Sequence, residues 1–368
     1  MNYKLTKSNQ IFIYASLVLL LFVFEFVTTF VINFSDYDSV RLVGFYKIFF
    51  LLIILINTSF LKINKIFFIL ITSLIITYLI NQFLLQNFDY TNLKESLSSG
   101  ALYYLVRYTY IFVFIIAFLT FKNKDKIINK AIIWIELLLF VNSILIILGI
   151  IFDIGFFKSY PNGIRFGYDG LFNKVNEVSY FYCIYISHLY YGYIRKKKGV
   201  PLLLFIISSS IIIGTKAVLL FLGLLFSYHI LFVAKRKKQY RFVYIPIILV
   251  FAVFLQPIMM SFLGSSPQWG ELMQKHGLIT VLTSTRDLLF YKGIAYINDA
   301  WSFLNWFFGG PFYNKNFKNT EIGFLDFFIF LGFLGSLIYS LLFYKCFIKN
   351  RETKIIVLFS LIMIVALL

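Results

Sequence analysis

The stretch SSSIIIGTKAVLLFLG, Ser208 to Gly223, sets one lysine, Lys216, inside an otherwise apolar run. A charged side chain is costly at the centre of a bilayer. The same lysine is tolerated where two apolar helices meet at a turn beside the headgroups. Gly214 and Thr215 form a pair suited to break a helix. The stretch therefore reads as two membrane helices joined by a tight turn, with Lys216 at an interface.

Composition extends that reading to the whole chain. Its 368 residues are 60% hydrophobic and 14% charged, with a mean hydropathy of +0.85. Soluble domains are about a quarter charged. The expected fold class is an all-α polytopic membrane protein, a single integral membrane domain over 1–368. Eleven apolar segments are read at 11–33, 42–60, 66–83, 101–121, 131–155, 177–194, 200–213, 217–234, 242–263, 322–346 and 355–368. Most are long enough for a hydrocarbon core of ~30 Å. The first has no small-residue cleavage site and carries Glu25, so a retained helix is expected rather than a signal peptide. The last offers roughly 21 Å of helix, short for a span, and is expected to be re-entrant or cut short.

The net charge of +18 does not point to nucleic acid. Most of the 34 basic residues fall in alternate loops, at Lys4 and Lys7, Lys62 and Lys65, Lys122 to Lys130, Arg195 to Lys198, Lys235 to Arg241, and Lys345 to Lys354. Positive-inside asymmetry then places the N-terminus in the cytoplasm. The outward loops become 34–41, 84–100, 156–176, 214–216 and 264–321. The 47 Phe and 26 Tyr suit lipid contact and interfacial belts. The bias toward Phe, Ile, Lys, Asn and Tyr fits an AT-rich bacterial genome and hence a bacterial plasma membrane.

Several chemistries are not expected. Cys183 lies within a helix and Cys346 at a cytoplasmic end, so no disulfide is expected. His188, His229 and His276 lack metal-ligand spacing, and no metal or other cofactor is implied. There is no Walker motif and no room for a cytoplasmic ATP-binding domain. No strong internal repeat favours an inverted-repeat transporter.

The informative cations face outward. Lys216 is read either as a snorkelling anchor or as a phosphate ligand. Arg165 lies among Gly163, Gly167 and Gly170, in a loop that lets backbone approach a ligand. Arg286 follows Ser284 and Thr285, read as candidate caps of an amphipathic interfacial helix whose apolar positions are Leu289, Tyr296, Ala300, Phe303 and Leu304. Asp287 suits its first turn, and free N–H groups at such a terminus favour anions. Arg107, inside LYYLVRYTYIF, is a further intramembrane charge, as are Glu25, Lys47 and Glu136.

In order, the motifs are RFGYDGLFNKVNE (165–177), GTKA (214–217), TSTRD (283–287), FFGGPF (307–312) and TEIGFLDFFIFLGFLGSL (320–337). Over roughly residues 160–345 this pattern resembles the Wzy-type O-antigen and capsular polysaccharide repeat-unit polymerases, within the superfamily shared with O-antigen ligases. The resemblance implies a GT-C-like membrane glycosyltransferase, inverting and metal-independent. It would join oligosaccharide repeat units carried on undecaprenyl diphosphate, on the outer face of the membrane. It also implies work beside a flippase and a chain-length regulator.

By matching position, the resemblance gives diphosphate binding to Arg165 and Arg286. The family turn usually reads Ser-Arg, where this chain has Thr215-Lys216. Lysine keeps the charge and loses the bidentate fork. Ligases usually carry a histidine where this chain has Glu321, which favours polymerase over ligase. Glu321 is the first choice for the base that takes the acceptor proton, and Glu177, beside Asn176, the second. Asp326 is an accessory candidate, although Glu321 and Asp326 differ by roughly 140° around one helix and so face different ways. If Lys216, Arg165 and Arg286 share one diphosphate, their ends should lie within roughly 10–12 Å, given charge-assisted contacts of ~2.7–2.9 Å. The alternatives are an O-antigen ligase-type enzyme or a flippase for the same lipid-linked sugars.

Overall fold

The computed structural model describes residues 7–34, 42–56, 63–84, 101–160, 166–172, 175–196, 199–234, 244, 267–310, 320, 322–349 and 351–367. Among them the regular structure is helical. The helices are α1 (Lys7–Phe34), α2 (Leu42–Ile56), α3 (Lys65–Leu84), α4 (Ala101–Leu119), α5 (Lys124–Ile151), α6 (Val175–Lys196) and α7 (Val200–Ile212). They continue with α8 (Lys216–Tyr228), α9 (Pro267–Thr283), α10 (Arg286–Ala300), α11 (Phe303–Phe308), α12 (Gly323–Phe343) and α13 (Thr353–Leu367). Wider π-type turns prolong α8 through His229–Val233 and α12 through Tyr344–Ile348.

Among the described residues, four helical stretches are long and apolar enough to cross a membrane: Ile11–Thr28, Lys124–Ile151, Lys216–Val233 and Gly323–Ile348. Several shorter apolar helices accompany them. Large apolar side chains stand exposed on them, among them Phe68, Leu137 and Phe226. That is the surface of a multi-pass membrane protein, whose hydrocarbon solvent removes the reason to hide them. Of the eleven expected segments, 242–263 lies outside the described residues apart from Tyr244. Segment five begins earlier than read, at Lys124, because Ile127 and Ala131 already belong to the stripe that α5 buries with Leu139, Asn142, Ser143, Ile146 and Gly149.

The chain forms two compact units. The first comprises Met1–Ile63, Phe114–Leu225 and Glu352–Val365; the second comprises Asn64–Val113, Phe226–Arg351 and Ala366–Leu368. In the first, α1 packs on α2 and α5, and α7 packs on α5 and α6. Tyr46, Phe50, Ile54 and Ala117 form one buried cluster there. At the far end of α6, Glu352 accepts from Arg195 at 2.9 Å and from Tyr191 at 2.7 Å, which ties in the start of α13. Glu136, one of the intramembrane charges, faces His188 at 3.3 Å.

In the second unit, α12 packs on α3 and α11. Tyr108 and Phe112 of α4 pack on Phe327, Phe330 and Tyr339 of α12. Helix α12 is broken at Gly332, where φ is 64° and ψ is −167°. A side chain there would collide with the backbone of Phe307 and Gly309. The end of α11 therefore enters the break. The carbonyls freed at the break are taken up: Ile329 accepts from Gly310 N–H at 2.9 Å, and Phe330 accepts from Asn81 Nδ2 at 2.9 Å. Asn81 also donates to the carbonyls of Phe308 (2.9 Å) and Gly310 (3.4 Å). Irregular backbone within an apolar helix persists only when its polar groups find partners in this way.

Candidate functional site

In the first unit the loop after α5 is tightly built. Lys158 and Tyr168 pair in antiparallel fashion, Ser159 N–H donates to Gly167 O at 2.9 Å, and Asp169 N–H donates to Phe157 O at 3.0 Å. Asp153 accepts from Lys158 at 2.8 Å and from Tyr168 at 2.6 Å. Those two hydrogen bonds, with Lys158 first, hold the Asp153 carboxyl below its usual range. Arg165 itself lies outside the described residues. Its neighbour Phe166 does not: the Phe166 carbonyl abuts Gly214, and Gly167 abuts the Ile213 carbonyl, so closely that neither glycine has room for a Cβ. Tyr168 N–H also donates to Ile212 O at 3.0 Å. The loop after α5 and the turn before α8 are thus one packed assembly.

That turn has the tight form expected, with Gly214 at φ 73°. Thr215 caps α8, its hydroxyl accepting Val218 N–H at 3.4 Å. Ser179 of α6 lies 2.8 Å from the same hydroxyl and donates its own proton to Val175 O at 2.7 Å. Thr215 is therefore the donor between the two, and a continuous chain runs from α8 into the first turn of α6. Lys216 is the exposed first residue of α8. Glu177 is half-buried in the first turn of α6, and Asn176 is exposed beside it. The structure thus brings the first turn of α6 and the turn before Lys216 onto one hydrogen-bond chain.

Two residues that the sequence reading passed over hold this region. Asn142 of α5, fully buried, accepts Leu171 N–H at 2.9 Å and donates to Asp169 O at 3.2 Å and to Tyr182 Oη at 3.3 Å. Ser143 lies 2.8 Å from the same Tyr182 hydroxyl. Asp169 is 4% exposed, and burial pushes its carboxyl up to about 7. The visible signal for the first was a polar Asn-Ser pair inside the apolar run of α5. An apolar groove of about 300 Å³ runs beside this point, lined by Leu19, Phe26, Trp134, Leu138 and by Leu171 itself.

In the second unit Arg286 opens α10 and is half-buried. Thr285 occupies the cap position but its side chain does not cap α10, and Ser284 lies one residue before that position. Their φ values of 71° and 56° are not the extended backbone that a capping hydroxyl needs. Asp287 instead accepts from Thr280 at 2.5 Å and Thr283 at 2.9 Å across the turn. Burial alone would raise its carboxyl, and the two threonine hydroxyls together with the backbone N–H groups of Leu288 and Asp287 outweigh that and lower it. The expected amphipathic helix is two pieces. Ser302 and Asn305 form a capping box that starts α11, so Phe303 and Leu304 do not continue α10.

Glu321 lies outside the described residues, but the chain on either side of it is fixed. Thr320 donates to Asp326 Oδ1 through both N–H and hydroxyl at 2.6 Å, and Ile322 N–H donates to Thr320 Oγ1 at 3.2 Å. Asp326, buried in the first turns of α12, spends this oxygen on the chain that enters the helix. Arg107 is exposed on α4. Among the described residues no cluster of His, Cys, Asp and Glu suits a metal ion. Lys216 and Arg286 belong to separate units. Set against family models, curated proteins and solved structures, the chain matches none.

Proposed function

We propose that the protein is a polysaccharide repeat-unit polymerase, a membrane glycosyltransferase that uses undecaprenyl-diphosphate-linked oligosaccharides on the outer face of a bacterial plasma membrane. The observation that carries this reading is the packing of the loop after α5 onto the turn before α8. It sets Lys216 on a capped, buried-threonine turn against the segment that follows Arg165. A fixed cation on a rigid turn suits an anion that develops charge during reaction.

A hydroxyl oxygen of one lipid-linked repeat unit attacks C1 of the sugar joined to diphosphate in another. The C1–O bond to phosphate breaks, with inversion at C1. Undecaprenyl diphosphate leaves, carrying the bonding electron pair. The acceptor proton passes to a carboxylate, Glu321 in first place and Glu177 in second. Lys216 and Arg165 neutralise the leaving diphosphate, a role that elsewhere falls to a metal, and the resemblance gives diphosphate binding to Arg286 as well. The groove lined by Leu171, Phe26 and Trp134 is apolar, as a polyprenyl tail requires.

The test is chain elongation by purified protein given only lipid-linked repeat units. Growth of polymer with release of undecaprenyl diphosphate supports the reading. Movement of the lipid-linked sugar across vesicles without elongation replaces it with the flippase reading. Transfer only to a preformed lipid acceptor replaces it with the ligase reading.

A further inference from the structure

We infer that Asn142 is a positioning residue for this reaction: from within α5 it sets the loop 166–172 against the turn that presents Lys216. The inference rests on the proposed polymerase reading for its chemistry, though not for its geometry.

The geometry is that of a two-sided grip. The Asn142 amide uses both ends on the loop, accepting from Leu171 N–H and donating to Asp169 O. Between those residues Gly170 takes φ 73°, and a Cβ there would collide with Asn142 Oδ1. The amide therefore fits a glycine-specific turn and no other residue's backbone. The grip is itself held, because Asn142 Nδ2 also meets Tyr182, whose hydroxyl is braced by Ser143. Just before this turn, Phe166 to Tyr168 lie on Ile212 to Gly214 without space to slide. A rigid line thus runs from α5 through Asn142, the turn at Gly170 and Phe166 to the turn that ends in Lys216. A buried amide that served packing alone would not need two directed bonds into a loop. An apolar residue of its size would pack α5 more cheaply, because each buried polar atom must find a partner.

Positioning predicts a specific signature. The charges that Asn142 holds in place act on the leaving group, so its loss should lower turnover more than substrate affinity. Asn142→Ala should cut kcat about ten-fold or more while KM changes less than about three-fold. Gly170→Ala attacks the same contact from the loop side and keeps α5 intact. The double variant should lose less than the sum of the two single effects, because the new methyl group then meets no amide and only the strain of an alanine at positive φ remains; such non-additivity marks residues in contact.

The geometric arm needs no activity. Spin labels at Phe166→Cys and Leu219→Cys, both exposed positions, report the loop against α8 in a Cys346→Ser background that retains buried Cys183. One narrow distance distribution is expected in the parent, and a broadened one in Asn142→Ala and Gly170→Ala. If Asn142→Ala does not fold, Gly170→Ala carries the measurement. An unchanged distribution in a folded variant overturns the inference, whatever the activity. A broadened loop with parental kcat overturns the role in the reaction. A broadened loop in a protein whose parent never elongates chains leaves the positioning intact and removes the polymerase reading.

Discussion

Thr215 and Ser179 meet at 2.8 Å, and through them the first turn of α8 hangs from the first turn of α6. The contact explains why a hydroxyl residue precedes the lysine. Thr215 serves as a cap, while Lys216 beside it is left exposed on the first turn. Thr215→Ala should lose about 1 kcal/mol of stability, the usual value of such a cap, and Thr215→Ser should keep most of it. Thermal unfolding in detergent measures both. Under the proposed function Lys216→Arg keeps substantial chain elongation and Lys216→Gln loses most of it. Equal activity in both would return Lys216 to an anchoring role.

Arg286 stands at the first position of a helix whose cap residue makes no capping bond. Arg286→Ala should abolish elongation while membrane abundance stays normal, since the residue is only half-buried and its loss leaves the helix backbone of α10 intact. Arg165→Ala is expected to behave alike. Parental polymer lengths in either variant would remove that residue from the site.

The buried carboxyl of Asp169 makes stability depend on pH. Its folded value of about 7 lies above the ordinary carboxylate range, so the native state binds the proton more tightly than the unfolded chain. Stability should fall as pH rises from about 4 to 7 and then level off, by at most about 4 kcal/mol for this one group. Asp169→Asn removes the proton from the balance. It should flatten this part of the thermal-unfolding profile and raise the midpoint at pH 8. A profile identical to the parent's would show that Asp169 stays charged in the fold.

The break in α12 yields a fourth expectation. Gly332→Ala pushes a methyl group into the backbone of α11 at a positive φ and should destabilise the protein by about 2–3 kcal/mol or more. Asn81→Leu strips donors from buried carbonyls and should cost about 1–3 kcal/mol. Both sets of contacts lie within one unit, so protease resistance of α9 to α11 should fall together with the thermal midpoint. Retained resistance in both variants would mean that the break is not held from these two points.

The apolar segments were legible because hydropathy over some twenty residues is a strong signal, and the limits of α2, α3, α6 and α7 fall within a few residues of the reading. The turn at Gly214 was legible for the same reason: a glycine, a threonine and a lysine in succession interrupt an apolar run. In the long loop the helix that Arg286 opens was legible from its spacing. Its division at Trp301 depends on the Ser302–Asn305 box, which spacing alone does not separate from a continuing helix. The break at Gly332 was hidden because glycine occurs in membrane helices without breaking them; what decides is the arrival of Phe307 and Gly309 from elsewhere in the chain. Asn142 and Asn81 were hidden likewise. A polar residue in an apolar run announces a partner, but the partner here is loop backbone that no side-chain pattern reveals.

Helix α7 has a consequence for the membrane around the protein. Its 13 residues amount to about 20 Å, some 10 Å less than a common hydrocarbon core. Pro201 near its start and Gly214 just after its end leave no turn to add. Lipid beside so short a rod relieves the hydrophobic mismatch by thinning. Under the proposed function and orientation, thinning on the side of Lys216 would bring a diphosphate headgroup closer to the lysine. Chain elongation should then respond to acyl length, running faster in bilayers of short-chain lipids than in thick ones.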